Sequence, residues 1–344
     1  LRMRTYIIRR LLLLIPVLIG VSLIVFILMG AQGPRWTAYI TTEKVTQQQI
    51  WAIEERYHLN DSDIEQYGYW LKGVVTGDWG YSKVGKDYVT NVIIDKFPAT
   101  FELTLVSMVI AVLIGVTLGS ISAVRRNKPI DHITRTVALV GVSIPIFWLG
   151  LLLLNLFFLQ LGLAPQGDRI SAEYMYNMGD NTVIKEITGF YLVDSLLMGN
   201  IPMFLDVVWH LILPAITLSF GTIALLTRIM RSSMLEVLNQ DYIKTARSKG
   251  LPEKVVIKKH ARKNALIPTT TVTGMAFGGL LAGAVLTESI YSWPGLGSWS
   301  THAITGNDPA AIMGFSLFIA IVYVMANLIV DIMYVYLDPR VKLE

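Results

Sequence analysis

Cysteine is absent from this 344-residue sequence, which removes disulfides, cysteine–zinc sites and thiol catalysis together and leaves the redox compartment undetermined. Charge is scarce as well: Asp, Glu, Lys and Arg make up 16% of the residues, against 53% that are hydrophobic. With a mean hydropathy of +0.53, such a chain belongs among integral membrane proteins rather than soluble domains. The histidines (His58, His132, His210, His260, His302) are scattered with no i,i+4 pair, so no metal site is expected. A Gly-x-Ser-x-Gly elbow is missing and no two acids face each other within a span, so intramembrane proteolysis and proton-relay transport lack their residues. The net charge of +4 does not signal nucleic acid, because the basic residues flank apolar runs, where membrane orientation explains them.

What is present is a series of long apolar runs. Arg2, Arg4, Arg9 and Arg10 precede an uncharged stretch from Leu11 to Met29, close to the ~20 residues that cross a bilayer. A cleaved signal peptide is the competing reading, but the run exceeds a usual signal core and Met29-Gly30-Ala31 is a poor cleavage site. Further runs at Thr100–Val124, Ile133–Leu163, Asp206–Met230, Ala265–Ile290 and Ala310–Leu337 bring the expected spans to six. The links Arg125–Lys128 and Arg231–Lys263 are rich in Lys and Arg, whereas Tyr291–Pro309 has none and Ala164–Leu205 has two. That asymmetry places both termini and the basic links in the cytoplasm. The expected organisation is a cytoplasmic start and first span at 1–30, an extracytoplasmic insertion at 31–97, and a five-helix core at 98–344 that carries a cytoplasmic segment at 231–268.

Within the insertion, Thr46-x-x-Gln49 and Ser62-x-x-Glu65 are capping-box patterns followed by amphipathic runs, so a small helical outer domain is expected, either meeting a partner or only covering the spans. The run from Gly80 to Asp87 fits a phosphate-binding loop except at its last position, where Asp87 replaces the hydroxyl that would hold magnesium. No strand is expected to feed it, and nucleotide binding is not expected there. Gly115-x-x-x-Gly119, Gly274-x-x-x-Gly278 and Gly279-x-x-x-Gly283 read as points of close helix packing. Pro145, beside Ser143, reads as a bend that either lines a path or is purely structural. Ser143, Asn155 and Thr287 are polar positions in or near spans that either line a path or bond a neighbouring helix. Asp206, Glu288 and Asp331 stand near span ends, where a solvated or capped carboxylate is the default; Glu288 is kept as a path candidate because intramembrane acids tend to be functional.

The longest polar interval among the basic links runs from Gln240 to Pro268. Its apolar residues recur at helical spacing on both sides of Gly250-Leu251-Pro252, which predicts a short helix, a turn and a second short helix. Two polar helices between membrane spans have no core of their own, so this segment needs a partner; a basic linker that only sets topology is the bland alternative.

From Asp241 to Gly250 the sequence Asp-Tyr-Ile-Lys-Thr-Ala-Arg-Ser-Lys-Gly resembles the coupling motif of binding-protein-dependent ABC importer permeases. Lys244-Thr245-Ala246 stands where the generic motif has Glu-Ala-Ala, and the interval from Gly250 to Pro268 is longer; both departures are similar to the dipeptide/oligopeptide/nickel branch. Tyr6–Val17, Gly77–Ser82, Pro98–Thr104, Ser143–Gly150 and Glu288–Gly297 also resemble the B-type permease of that branch, while Arg169–Ile201 matches poorly.

The resemblance implies an all-α integral membrane protein with the type I ABC importer permease fold. It implies a non-enzymatic subunit that forms half of a translocation path beside a homologous second permease. Two ABC ATPase subunits would bind ATP and magnesium, this chain holding no cofactor, and would grip Asp241, Tyr242, Thr245, Ala246, Gly250 and Leu251. An extracytoplasmic binding protein would deliver the solute, expected to be a dipeptide or oligopeptide, with oligosaccharides or nickel chelates as alternatives within the branch. A membrane scaffold that binds an ATPase without forming a path is the reading from a different class.

Overall fold

The computed structural model of the chain describes residues 2–32, 34–40, 45–176, 184 and 186–337. Helix α1 (Arg2–Gln32) leads through a 3-10 turn into α2 (Gln47–Arg56), α3 (Asp63–Thr76) and a small antiparallel hairpin of β1 (Tyr81–Ser82) and β2 (Asp87–Tyr88). Then come α4 (Val89–Val124), α5 (Pro129–Ser143) and α6 (Ile146–Leu154), which ends in a π-helical turn over Asn155–Gln160. Two short helices, α7 (Ala172–Tyr176) and α8 (Tyr191–Leu197), precede the long α9 (Ile201–Leu238). The basic segment holds α10 (Asp241–Ser248) and α11 (Glu253–Val255), and a second π-helical turn, Val256–Ala261, joins α11 to α12 (Arg262–Ile290). Helices α13 (Leu296–Thr305) and α14 (Pro309–Leu337) close the chain.

Among the described residues, four stretches are continuous helices long and apolar enough to cross a bilayer: Leu11–Leu28 of α1, all of α4, all of α9, and Pro309–Ile329 of α14. Two more qualify only when taken across a bend, Pro129–Ser143 with Ile146–Gln160 at 104° and Glu253–Leu281 with Gly283–Ile290 at 50°. The expected six is reached when each bent pair counts as one span. The run Ile133–Leu163, read as one helix, is therefore corrected to two helices. Proline lacks an N–H and pushes the residue before it out of the helical region; Ile144 is extended (φ −77°, ψ 125°) and Pro145 stands at the start of α6 instead of kinking a continuous rod.

The segment after Gly250 is corrected in the same way. The polar helix expected there does not stand alone, because α11 passes through the π-helical turn directly into α12. Thr100–Val124 and Asp206–Met230 are the apolar centres of longer helices beginning at Val89 and Ile201, whose first turns are too mixed for hydropathy to reveal.

Helices α4 and α9 form the central pair. A Cβ on Gly115 would come within 2.8 Å of the Leu226 Cβ, and one on Gly119 within 2.6 Å of the Thr227 carbonyl, so this Gly-x-x-x-Gly does permit close backbone approach. Gly278 likewise meets Tyr323 at 2.9 Å. The packing reading fails for Gly279 and Gly283: the first faces open space and the second has only ordinary contact, with Leu218 at 3.9 Å. These two glycines border a cavity instead.

The two ends of α4 mark opposite ends of the bundle. At its start, Val89, Val92 and Ile93 pack with Phe26 of α1, Trp70 of α3, Trp299 of α13 and Ala311 of α14. Both expected capping boxes form, Thr46 with Gln49 and Ser62 with Glu65, and Gly77 ends α3 in the left-handed region at φ 94°. The Gly80–Asp87 loop spends its polar groups internally: the Ser82 hydroxyl and the Val84 N–H both donate to Asp308, at 2.7 and 3.0 Å. The Val84 amide thus serves a carboxylate of the chain and the Gly85 amide the Ser82 hydroxyl.

Candidate functional site

At the other end of α4 lies α10. Gln240 caps it, Thr245 donates to the Asp241 carbonyl at 3.0 Å, and Lys244 pairs with the Asp241 carboxylate at 2.9 Å. That hydrogen bond, together with the lysine's charge, holds the exposed Asp241 carboxyl below its ordinary range. On the inner face Ile243 and Ala246, one turn apart, are buried in an apolar cluster that also holds Met230 and Met234 of α9, Val116 and Ala123 of α4, and Val256, Ala261 and Ala265 at the start of the α12 span. Such burial at i and i+3 fixes α10 to the π-helical turn that leads into α12 and places it in one apolar cluster with α9 and α4. Gly250, at φ 73°, turns the chain with its N–H bonded to the Arg247 carbonyl at 2.9 Å, a conformation open to glycine at little cost. Arg247 then clamps the turn through a two-point contact with Glu253, at 3.1 and 2.7 Å.

Five of the six residues expected to meet the ATPase, Asp241, Tyr242, Thr245, Gly250 and Leu251, are exposed; Ala246 faces inward. Tyr242 and Leu251 retain 44% and 38% of their surface among charged neighbours, which suits anchor residues for a partner. Ile243 was not in the expected set. Its spacing from Ala246 was the available signal, but only the packing of α12's start reveals which apolar face turns inward.

The expected path residues do not gather at one point. Ser143 is exposed and donates to Leu139 at 2.9 Å; Asn155 is exposed and accepts from Gln160 at 2.8 Å. Thr287 and Glu288 are fully buried, and the Thr287 hydroxyl has no hydrogen-bond partner. Pro145 stands at the 104° bend. Beside that bend, α5, α6, α9 and α12 enclose a cavity of about 290 Å³ bordered by Gly141, Ile146, Thr217, Gly221, Gly279 and Gly283.

Glu288 does not take the solvated position that is the default for an acid near a span end. It accepts the Thr100 hydroxyl at 2.6 Å and the Ser298 N–H at 3.0 Å, so a buried carboxylate ties α12 to α4 and α13. Asp206 is capped, accepting the Ser171 N–H and hydroxyl, both at 2.7 Å; the side chain of Asp331 lies outside the described residues. Missed from sequence was Arg169, in the poorly matching stretch. Buried, it donates to Glu102 of α4 at 2.7 Å and lies over the Tyr191 ring at 3.6 Å, pinning the segment before α9 to the bundle. Among the described residues no group of three or more acidic or histidine side chains could hold a metal.

A bundle of bent and straight membrane-length helices, with a short basic helix bolted beneath its central pair, is the architecture of a transport permease. Residues 115–343 match the family of binding-protein-dependent transport system inner membrane components, and residues 3–104 match that family's N-terminal region. The chain belongs to this family: it is a multi-pass inner-membrane permease of the ABC importer class. It is 42% identical to a dipeptide transport system permease protein of Alkalihalophilus pseudofirmus, over 99% of this chain and 100% of the other. It is 38% identical to the dipeptide transport permease of Escherichia coli K12, over 99% of each, and 37% identical to an oligopeptide transport permease of Bacillus subtilis, over 99% and 100%.

Proposed function

We propose that this chain is one of two homologous permease subunits in a peptide importer, with both termini in the cytoplasm, and that α10 is the point at which an ATPase subunit drives it. The observation that carries this reading is the two-sidedness of α10. Ile243 and Ala246 are buried while Tyr242 and Leu251 are left open, so a force applied to the exposed face passes through the π-helical turn Val256–Ala261 into the α12 span and the helices packed on it. Two ATPase subunits closing on ATP would tilt these helices, and the bend at Ile144-Pro145 with the open glycines Gly279 and Gly283 supplies room for a path that a second permease completes. The peptide class follows the relatives at 37–42% identity, named for dipeptide and oligopeptide transport.

Because this chain has no cysteine, one introduced cysteine is its single thiol. Thr245→Cys, in the assembled transporter, is expected to cross-link to the ATPase subunit, and ATPase turnover in liposomes to rise when the binding protein is loaded with peptide. Cross-linking without any solute-dependent turnover would favour a scaffold. Stimulation by a loaded oligosaccharide or nickel chelate, and not by peptide, would keep the importer and change its cargo.

A further inference from the structure

The span broken at Ile144-Pro145 has two arms, α5 and α6, and each is tied to α9 at a different height. Only three of the 15 residues of α5 are buried, Asp131, Thr134 and Gly141. Gly141 lies against α9, where a Cβ would come within 2.9 Å of the Ala224 Cβ. The Thr134 hydroxyl returns to its own helix, on the Ile130 carbonyl at 2.7 Å. Between α5 and α9 a cavity of about 530 Å³ is bordered by Thr134, Leu139, Val142, Thr227 and Arg228. Apolar packing therefore fixes little of how α5 stands on α9 within this chain.

A polar tie fixes it instead. Asp131, in the first turn of α5, is fully buried, and Arg231 of α9 grips both of its oxygens at 2.7 and 2.9 Å. The Ser122 hydroxyl of α4 donates to the same carboxylate at 2.5 Å, and the Asn127 N–H of the α4–α5 link at 3.0 Å. Among the described residues Asp131 is the one side chain of α5 that bonds another element; Ser143, like Thr134, bonds within the helix. A two-point guanidinium–carboxylate fork sets orientation as well as distance, so at this end α5 turns with α9.

The α6 arm is held elsewhere. Tyr291, at the far end of α12, donates to the Gly150 carbonyl of α6 at 3.2 Å and shares a hydrogen bond with Thr217 of α9 at 2.9 Å. Thr217 and Arg231 are about 21 Å apart along α9 at ~1.5 Å per residue. The bend thus lies between two anchors, one near the α10 end of α9 and one well removed from it. Helix α10 follows α9 after Asn239 and Gln240, and its buried Ile243 and Ala246 share an apolar cluster with Met230 and Met234, which flank Arg231 in sequence. Close-packed interiors transmit displacement rather than absorbing it.

We propose that Asp131 and Arg231 are positioning residues for transport. Their ion pair makes α5 follow the α10 end of α9 while α6 stays on Thr217 and Tyr291, so that displacing α10 changes the angle at Ile144-Pro145. This role rests on the reading of α10 as the driven element; neither residue touches solute, and both act through the bend that borders the path.

The test uses the assembled transporter in liposomes, with Asp131→Asn/Arg231→Met in this chain. The new amide accepts the Asn127 N–H and donates to the Ser122 oxygen, so no buried charge is stranded and only the tie to α9 is cut. Spin labels on Ile133→Cys in α5 and Leu159→Cys in the π-helical turn that ends α6, both exposed, read the bend as an interlabel distance. The chain has no other cysteine, and the partner subunits are made cysteine-free for this measurement. On ATP binding, trapped with vanadate, the distance is expected to shift by about 2–5 Å with Asp131 and Arg231 intact, and by less than about half of that in the double variant. Uptake of a labelled dipeptide per ATP hydrolysed is expected to fall about tenfold, while ATP hydrolysis, the Thr245→Cys cross-link and the unfolding midpoint persist. A full distance shift in the double variant, with that cross-link formed, would overturn the positioning role and leave the α10 reading standing. Absence of the cross-link with Asp131 and Arg231 intact would overturn the α10 reading and this role with it. A lowered unfolding midpoint with uptake per ATP unchanged would make the pair structural only. Should the double variant fail to assemble, Arg231→Lys decides, since it keeps the charge and gives up the two-point grip; an undiminished distance shift there would overturn the role.

Discussion

Thr100 of α4 donates its hydroxyl to Glu288 of α12 at 2.6 Å, and the same Thr100 oxygen receives the N–H of Leu296 at 2.8 Å. One buried hydroxyl thereby sits between the fully buried carboxylate and the first turn of α13, residues separated by 188 positions or more along the chain. The glycines flanking Leu296 are part of the arrangement. A Cβ on Gly295 would stand 2.4 Å from the carboxylate, and one on Gly297 2.5 Å from the Val285 Cα.

Glu288→Ala is therefore expected to leave the Thr100 hydroxyl and Ser298 N–H without an acceptor and to lower stability by about 2–6 kcal/mol, on the order of 1–3 kcal/mol for each buried orphan. Gly297→Ala is expected to be at least as damaging, because its obstacle is backbone. Thermal unfolding of the detergent-purified chain measures both; an unchanged midpoint for Glu288→Ala would show that the carboxylate does not tie the helices.

Gly250 has nothing within 4 Å of a built Cβ, yet its φ is 73°. Substitutions there act through the backbone alone. Gly250→Asn is expected to be mild and Gly250→Val severe, since asparagine tolerates the left-handed region and β-branched residues do not, a penalty of roughly 1–2 kcal/mol. The readout is the ratio of solute transported to ATP hydrolysed, which should fall for valine while ATP hydrolysis persists.

Tyr242→Ala and Leu251→Ala are each expected to weaken ATPase binding by about 1–2 kcal/mol without changing the unfolding of the isolated chain, as removal of an exposed anchor does. Ala246→Leu is expected to do the reverse. Its added volume has to fit among Met230, Val256 and Ala265, costing about 1–3 kcal/mol of stability. Titration of the ATPase subunit alongside thermal unfolding separates the two classes.

The Arg169–Glu102 pair is buried on both sides, at 5% and 4% side-chain exposure. Arg169→Met is expected to strand the Glu102 carboxylate and destabilise by about 3–5 kcal/mol, and adding Glu102→Gln to recover part of that loss. A double-mutant cycle on thermal unfolding tests the coupling; strictly additive effects would mean the two residues act independently.

Asp241 ionises more readily in the folded chain than an ordinary aspartate because Lys244 bonds and neutralises it. Its contribution to α10 is therefore complete above the ordinary value of about 3.9 and is lost only as pH falls through the lower folded value. Binding of the ATPase subunit is expected to show no step from this group near neutrality, and Asp241→Asn to lower affinity equally across that range.

Much of the architecture was legible in the residues because the relevant signals are local. Thr46-x-x-Gln49 and Ser62-x-x-Glu65 form the caps their spacing predicts, and Gly250 ends α10 as a glycine past a helix should. Apolar run length located the membrane helices, although it read α5 and α6 as one. The proline at 145 announced a break; the 104° angle depends on how α6 packs against α9. Gly115 and Gly279 belong to the same sequence pattern and yet have opposite surroundings, one against Leu226 and the other in open space.

Composition and order alone thus determined that the chain lives in a bilayer, where its capping boxes and the Gly250 turn fall, and that the stretch holding α10 is polar and basic. These follow from solvation and backbone geometry within a few residues. The burial of Glu288, the pinning of Arg169 to Glu102, the inward face of α10 and the grip of Arg231 on Asp131 were set by folding. Each depends on side chains brought together across tens to hundreds of positions, and a buried polar group's partner is fixed by which helices meet, not by its neighbours in sequence.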